Sequence, residues 1–372
     1  MTFTPRVIDS GKIRLRQWQL PDVDALPKAC NDPEIARFLG GMPSPYTEQD
    51  AHWWVTAGAP ASWSAGGAAF AIVDPETDQV LGGTGFGNAN SQRSQVEVGY
   101  WVAPWARGRG VATTAVNAVA QWAFDHGVAR LELLAVKENP ASQRVALNAG
   151  FTREGVRRDA TADRQGARQD LVAFIRLSSD PPGPSKRMLP DFPEGTLSDG
   201  VIALRRLAPA DVDDYLALSQ LPEVARTHIG EPVTRELATS RCDRAEYGWL
   251  SGEIAECVIV DAESGAFAGD ISLLYRDPFV GQAMLGYSLR PEFRGRGFAT
   301  RAVRLLSDWA FEQVGVVRVI AGTFPYNEAS RAVLHRAGFE REAYFKAALP
   351  GHDGRRIDDI QFVRISPLVN PS

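Results

Sequence analysis

Cysteine is almost missing from this chain: Cys30, Cys242 and Cys257 are all there is in 372 residues, odd in number and far apart. That excludes a disulfide framework, and no CxxC or HExxH pattern offers a metal site, so no metal is expected. A reducing compartment, the cytoplasm, is the expected home. Apolar runs are short, none approaching the roughly 20 residues of a bilayer span, so no membrane segment is expected. The opening residues Met1-Thr2-Phe3-Thr4-Pro5 lack the basic and apolar regions of a signal peptide. An excess of positive charge is also missing. The net charge of −5 argues against a general nucleic-acid binder, whose affinity comes from a basic footprint. Lysine is scarce (Lys12, Lys28, Lys137, Lys186, Lys346) beside abundant arginine, which reads as coding bias. His52, His126, His228, His335 and His352 are scattered and read as surface or helix residues.

What the chain does have, it has twice. Gly99-Tyr100-Trp101-Val102-Ala103-Pro104-Trp105-Ala106-Arg107-Gly108-Arg109-Gly110-Val111-Ala112-Thr113 returns as Gly286-Tyr287-Ser288-Leu289-Arg290-Pro291-Glu292-Phe293-Arg294-Gly295-Arg296-Gly297-Phe298-Ala299-Thr300. The self-similarity extends outward. Ile13-Arg14-Leu15-Arg16 matches Ile202-Ala203-Leu204-Arg205, and Pro21-Asp22-Val23-Asp24 matches Ala210-Asp211-Val212-Asp213. Trp122-Ala123-Phe124 matches Trp309-Ala310-Phe311, and Asn148-Ala149-Gly150-Phe151 matches Arg336-Ala337-Gly338-Phe339. A period of about half the chain is too long for a solenoid, so each copy is expected to be a domain. The boundary falls in the Pro-rich stretch from Ser178 through Pro181, Pro182, Pro184, Pro190 and Pro193. Such sequence favours an extended, semi-rigid spacer. The expected organisation is a domain at 1–178, a linker at 179–198 and a second domain at 199–372.

Each copy reads as α/β with a mixed sheet. Strands are expected around Ile13–Leu15, Phe70–Val73, Val80–Phe86, Val96–Val102, Leu131–Val136 and Leu171–Leu177. Helices are expected to start near Pro21–Asp24, to run from Thr113 to His126 with a stop at Gly127, and from Ala141 to Asn148 with a stop at Gly150. Gly83-Thr84-Gly85-Phe86-Gly87 reads as a bend in a strand.

A strand running into a Gly-rich, Arg-flanked turn and then a helix is suited to phosphate. Backbone N–H groups at a helix start are unpaired, and the helix dipole favours an anion there. Glycine permits positive φ and close approach, while Arg107, Arg109, Arg294 and Arg296 can add charge-assisted hydrogen bonds. A solvent-facing turn with incidental arginines is the bland alternative, weakened by the repetition. A P-loop would need GxxxxGK[ST], which is absent. A Rossmann fingerprint needs a third glycine and an early position, and Gly108-Arg109-Gly110 has neither.

These residues are similar to the GNAT superfamily of acyl-CoA-dependent N-acyltransferases. Arg107-Gly108-Arg109-Gly110-Val111-Ala112 and Arg294-Gly295-Arg296-Gly297-Phe298-Ala299 fit its R/Q-x-x-G-x-G/A signature. Glu97-Val98-Gly99-Tyr100-Trp101-Val102 and the run Asn139-Pro140-Ala141-Ser142 to Gly150-Phe151 resemble the RimJ/RimL-like branch, which acetylates N-termini of ribosomal proteins. The second copy keeps Asn327-Glu328-Ala329-Ser330. The resemblance implies two tandem domains, each a splayed mixed sheet flanked by helices, with acetyl-CoA bound in each. Its pyrophosphate would sit on the loop amides. Its pantetheine arm would slot beside Trp101–Val102 in one copy and Ser288–Leu289 in the other, hydrogen-bonded by Asn139 or Asn327.

The implied reaction is direct attack of an amine on a thioester, with orientation of both reactants supplying much of the acceleration. Ser142 and Ser330 match the branch's general acid, against the alternative that they only cap a helix. Glu97 occupies a position common for the base, against the alternative of a surface carboxylate. Met284 stands there in copy two. The branch's other glutamate position aligns near Thr161 and Leu349, with Asp159 and Asp163 as nearby substitutes. Copy one is therefore the expected catalytic half. An α-amine or another low-pKa amine suits such a site better than lysine. Trp53, Trp54 and Trp63 either wall the acceptor pocket or pack a helix, while Trp122 and Trp309 read as core. The acceptor is expected to be a small amine metabolite or an antibiotic-like compound, or alternatively a peptide N-terminus. A further alternative makes one half a non-catalytic acyl-CoA-binding or sensing module.

Overall fold

The computed structural model describes residues 3–351 and 354–369; His352 lies outside them. The chain divides into two compact units, Met1–Lys186 and Arg187–Ser372. The first runs β1 (Ile8–Asp9), β2 (Arg14–Arg16), α1 (Ala25–Cys30), α2 (Pro33–Phe38), α3 (Glu48–Trp53), α4 (Ala59–Ser64), β3 (Ala68–Val73), β4 (Val80–Asn90), β5 (Gln95–Val102), α5 (Val111–Asp125), β6 (Arg130–Val136), α6 (Pro140–Asn148), β7 (Thr152–Ala162) and β8 (Arg168–Leu177). The second runs β9 (Thr196–Ser198), β10 (Ile202–Arg206), α7 (Val212–Ser219), α8 (Pro222–Ala225), α9 (Arg235–Ser251), β11 (Ile254–Asp261), β12 (Phe267–Asp277), β13 (Gln282–Leu289), α10 (Phe298–Trp309), β14 (Arg318–Thr323), α11 (Glu328–Arg336), β15 (Glu340–Pro350) and β16 (Arg356–Ile365).

Each unit is one eight-stranded mixed sheet, in the orders β1-β2-β3-β4-β5-β6-β8-β7 and β15-β16-β14-β13-β12-β11-β10-β9. The α/β architecture with two splayed sheets is as expected. β3 is buried along its whole length, as a continuous apolar run requires when helices cover both faces. On one face α5 lays Val116, Val119, Ala120 and Ala123 at helical spacing against the sheet. There Phe70 meets Trp122 edge-on, with ring centroids 5.4 Å apart. Gly127, at φ +86°, follows the end of α5. On the other face Trp18, Leu26, Val55, Ala69 and Ala71 form a second core cluster.

The feature that positions the site is a divergence of two parallel strands. β5 pairs with β6 only from Gln95 to Glu97, opposite Arg130 to Glu132. Beyond that point β5 stays bonded to β4 as far as Val102, and β6 to β8 as far as Val136. Each strand keeps its outer partner, so a wedge opens between them with unpaired backbone groups on its walls. β13 and β14 repeat this, pairing only from Gln282 to Met284 opposite Arg318 to Ile320.

One expectation changes, and two features go beyond the sequence. Gly83 to Gly87 is not a bend but paired strand. Its small residues reflect crowding: a Cβ on Gly85 would lie 1.9 Å from the Ala68 carbonyl oxygen. Residues 179–198 make contacts along their length. Ser185 donates to the Leu147 carbonyl at 2.9 Å, Phe192 packs edge-on against Trp249 and Trp309, and Thr196–Ser198 is a strand. β7, with its Arg-rich exposed face, carried too little apolar alternation to be read in advance.

The repeated Arg and Asp near each unit's start prove to be an ion pair. Arg16 grips Asp22 through two 2.8 Å bonds, both groups buried, and Arg205 grips Asp211 in the same way at 2.8 and 2.7 Å.

Candidate active site

The glycine loop sits where β5 hands over to α5. Gly108 and Gly110 adopt φ of +73° and +76°, and Gly295 and Gly297 adopt +72° and +81°, a region in which any other residue is strained. A Cβ built on Gly108, Gly110 or Gly295 would meet nothing within 4 Å. Backbone conformation and open space, not packing, select glycine there.

No side chain caps α5 or α10. Their first backbone bonds run from Thr114 to Gly110 and from Arg301 to Gly297. The amides of Val111, Ala112 and Thr113, and of Phe298, Ala299 and Thr300, therefore have no partner within their helix. Other helices in the same units are capped, α2 by Asp32, α6 by Asn139 and α11 by Asn327. α1, α4, α7 and α8 also lack a side-chain cap, but α5 and α10 are the uncapped starts preceded by a positive-φ glycine loop at the wedge.

The loop arginines divide in two. Arg107 pairs with Asp32, and Arg294 with Glu223 at 2.7 Å, tying each loop to the short helix opposite. Arg109 instead faces a separate hollow with Lys12 and Asp74, and Arg296 lies over the Phe298 ring at 4.8 Å with Asp261 at 3.6 Å. Neither belongs to the main cavity lining.

That cavity, of about 610 Å³ in the first unit, brings together Glu97, Trp101, Val102, Arg107, Gly108, Gly110, Val111, Ala112, Asn139 and Ser142. In the second unit about 530 Å³ is bounded by Ser288, Leu289, Arg294, Gly295, Gly297, Phe298, Ala299, Asn327 and Ser330.

Asn139 Oδ1 accepts from the Ser142 amide at 3.0 Å, and Asn327 Oδ1 from the Ser330 amide at 3.1 Å. The asparagines are thus the helix caps, which leaves the serine hydroxyls for another task. Each hydroxyl meets a tyrosine that sequence reasoning passed over. Tyr100 Oη donates to Ser142 Oγ at 3.0 Å, and Tyr287 Oη lies 3.0 Å from Ser330 Oγ. Burial pushes both phenols up to about 12, with the serine bond acting in the opposite sense. The clue was present: Gly-Tyr stands at the same place in both copies.

Glu97 is the last residue of the short parallel ladder, opposite Glu132. It reaches the cavity wall and accepts from Asn88 Nδ2 at 2.9 Å. Glu132 is buried and engaged by Arg157. Thr161 also lines the cavity. Asp163 holds the amides of Gln165 and Ala167 in a turn, and the Asp159 amide donates to Asp170. In the second unit neither Met284 nor Leu349 is part of the cavity lining.

The tryptophans sort themselves. Trp63 is core, packed on Phe70 and donating to the Ala69 carbonyl, and Trp53 is 61% exposed. Trp101 is the one that walls the cavity, stacked on Trp18 at 6.2 Å. Trp122 and Trp309 are buried as expected. His126 Nδ1 bonds the Trp122 carbonyl and His335 packs on Phe362, both structural contacts. Among the described residues no helix is long and apolar enough to cross a membrane, and no His, Cys, Asp and Glu group could hold a metal.

A wedge between parallel strands, closed at one end by an uncapped helix start, is a slot suited to an extended ligand with an anionic head. The chain belongs to the GNAT acetyltransferase family: the family's acetyltransferase (GNAT) domain matches residues 12–152 and again residues 202–340. The protein is accordingly an N-acetyltransferase built of two such domains. It is 28% identical over 149 residues to Uncharacterized N-acetyltransferase p20 of Bacillus licheniformis, covering 40% of this chain and 83% of that protein. It is 38% identical over 61 residues to the FsC-acetyl coenzyme A-N(2)-transacetylase of Aspergillus fumigatus, covering 16% of this chain and 26% of that one. Among solved structures, Mycobacterium smegmatis RimJ in complex with CoA-disulfide is 23% identical, covers 48% of this chain and 89% of its own, and superposes with a TM-score of 0.42.

Proposed function

We propose that each unit binds one acetyl-CoA and that the first unit N-acetylates a small primary amine. One observation carries the reading: in both units an uncapped helix start, entered through a positive-φ glycine, opens onto the wedge that also holds a Tyr–Ser pair. The residues present fit the coenzyme. Three partnerless amides and positive-φ glycines with free space before them suit a pyrophosphate. The exposed backbone of Trp101 and Val102, and of Ser288 and Leu289, suits the amides of a pantetheine arm. GNAT-family relatives support the donor, one of them bearing acetyl coenzyme A in its name. The reading takes 1–178 and 199–372 as the two domains, joined by 179–198, in a cytoplasmic protein.

When bound, acetyl-CoA supplies the acetyl group as a thioester. Glu97 stands at the mouth of the wedge to take a proton from the incoming amine, directly or through water. Ser142 already accepts a hydrogen bond from Tyr100, so its own proton is free to turn outward, toward the departing sulfur. Tyr100 touches neither reactant and is a positioning residue. With Met284 in place of the glutamate, the second unit lacks this base, so an amine already neutral near pH 8 is the acceptor it could use. The Glu97 and Asn139 motifs favour a second reading, acetylation of a protein N-terminus as in the RimJ/RimL-like branch.

A panel of small amines and of peptides beginning with Ala or Ser, followed by thiol release from acetyl-CoA, tests the proposal. Turnover of free amines above peptides is expected. Turnover of peptides alone would move the acceptor to proteins, and no thiol release with either would overturn the reading.

A further inference from the structure

The part of the first cavity around Glu97 is apolar. Strand alternation places Glu97 and Trp101 on one face of β5. Glu97 stands opposite Glu132, so Leu134 lies on the same face of β6, and Leu171 joins it as the cross-strand partner of Val136. α2 adds Phe38 and Leu39. All of these line the cavity, and each is only half-buried, so apolar surface stays open to a ligand there. α2 is held at both ends. Asp32 at its start is bound by Arg107. At its far end Arg164 donates to the carbonyls of Ala36, Leu39 and Met42 at 2.8, 3.2 and 2.8 Å. Phe38 and Leu39 are therefore in place before a ligand arrives.

The charges on this lining are matched but for one. Arg107 is paired with Asp32. Glu34 lies 3.8 Å from Arg37, whose guanidinium is 4.8 Å from the Phe38 ring centroid. Among the described residues Glu97 is bonded only to the neutral Asn88, which leaves its carboxylate for an ammonium. A second ammonium reaching past Glu97 would meet Leu134, Leu171 and Phe38 and lose its water without a counter-charge. The second unit is built differently at the same places. Pro33-Glu34-Ile35-Ala36-Arg37-Phe38-Leu39 returns there as Pro222-Glu223-Val224-Ala225-Arg226-Thr227-His228. Ser288 replaces Trp101, and by the matched ladders Gly322 and Asp359 replace Leu134 and Leu171.

We infer that the first unit selects primary amines carrying a single positive charge at the end of an apolar arm, with Glu97 meeting the ammonium and Phe38, Leu134 and Leu171 the arm. The inference rests on the acyl-transfer reading of that cavity. Phe38, Leu134 and Leu171 are here specificity residues, and no proton transfer is assigned to them. The second unit, small or polar at these places, does not share the preference.

Calorimetry on the full chain, saturated with CoA, with n-hexylamine and 1,6-diaminohexane as probes, tests it. The probes share an arm length and differ in whether a methyl or an ammonium ends it. Burial of the alkyl arm predicts that hexylamine binds the first unit about tenfold more tightly, or better. Leu171→Asp and Phe38→Thr install the second unit's residues. Each is expected to weaken hexylamine binding about tenfold, with diaminohexane bound no more weakly than before. Equal affinity of the two amines for the unmutated chain, or hexylamine binding unchanged in both variants, would overturn the inference. If Leu171→Asp does not fold, Phe38→Thr, at the half-buried end of α2, decides alone. Absence of CoA uptake, measured first, would instead sink the acyl-transfer reading, and the hexylamine titration on the unliganded chain still decides this one.

Discussion

If Tyr100 acts on catalysis only by orienting Ser142, removing the two hydroxyls must not cost their sum. The double-mutant cycle is built in a Ser330→Ala background, so that turnover reports the first unit. Ser142→Ala removes the proton donor to the departing thiolate, and general-acid contributions of this kind predict a fall in kcat of about 10²-fold. Tyr100→Phe deletes a neutral hydrogen bond of 3.0 Å. At about 1 kcal/mol that corresponds to roughly a fivefold loss in kcat, with KM for acetyl-CoA little changed. In the double variant the tyrosine has nothing left to orient, so the second substitution is expected to add no further loss. The coupling energy then equals the whole single-mutant effect of Tyr100, about 1 kcal/mol. Steady-state thiol release on the four proteins reads this directly. Fully additive losses would refute the relay. Full activity in Ser142→Ala would remove the serine from the chemistry altogether.

Other outcomes follow from packing and titration. Asp22→Ala removes two bonds from the buried Arg16 guanidinium, whose affinity for its proton is raised by Asp22 and which keeps Asp78 at 3.0 Å, and is expected to cost about 1–3 kcal/mol in urea unfolding. A cost under 1 kcal/mol would contradict the pair's burial. Gly85→Ala places a Cβ 1.9 Å from the Ala68 oxygen and is expected to destabilise by about 1–3 kcal/mol, whereas Gly87→Ala, with open space, is expected to be near neutral; equal melting temperatures would contradict this. Burial pushes Cys30 up to about 12 and Cys242 up to about 11. Iodoacetamide at pH 8 should therefore leave the native thiols unmodified and label all three after unfolding. The folded state holds these protons, and that of Tyr100, above the pH at which the unfolded chain releases them. Stability is thus complete below about pH 9 and falls as pH rises toward 12; a denaturant midpoint that rises across that window would contradict it.

Much of this was legible in the sequence because repetition turned local signals into paired ones. The Arg-Gly-Arg-Gly loops, the strand before them and the helix after them follow from glycine conformation and helix polarity. The matched Arg16–Asp22 and Arg205–Asp211 residues were visible as repeats, though not as ion pairs, because their partnership depends on how a turn folds back onto a strand. Tyr100 was hidden for a related reason. An aromatic on a strand has many ordinary uses, and only the approach of α6 to β5 makes it a partner for Ser142. β7 escaped because its exposed face is charged and its pairing partner comes later in the chain. The division of labour among the loop arginines was equally out of reach, since Asp32 and Glu223 lie far upstream of the loops they bind.

The account stands on helix starts that hold the coenzyme through main-chain donors, once in each unit. Titration of acetyl-CoA into the full chain, and into Gly110→Val and Gly297→Val variants, tests this most directly. Valine is strained at φ +76° and +81° and disorders the loop amides without removing a charged side chain. Two sites per chain are predicted, each variant losing one of them and keeping the other. Unchanged binding in both variants would contradict the account.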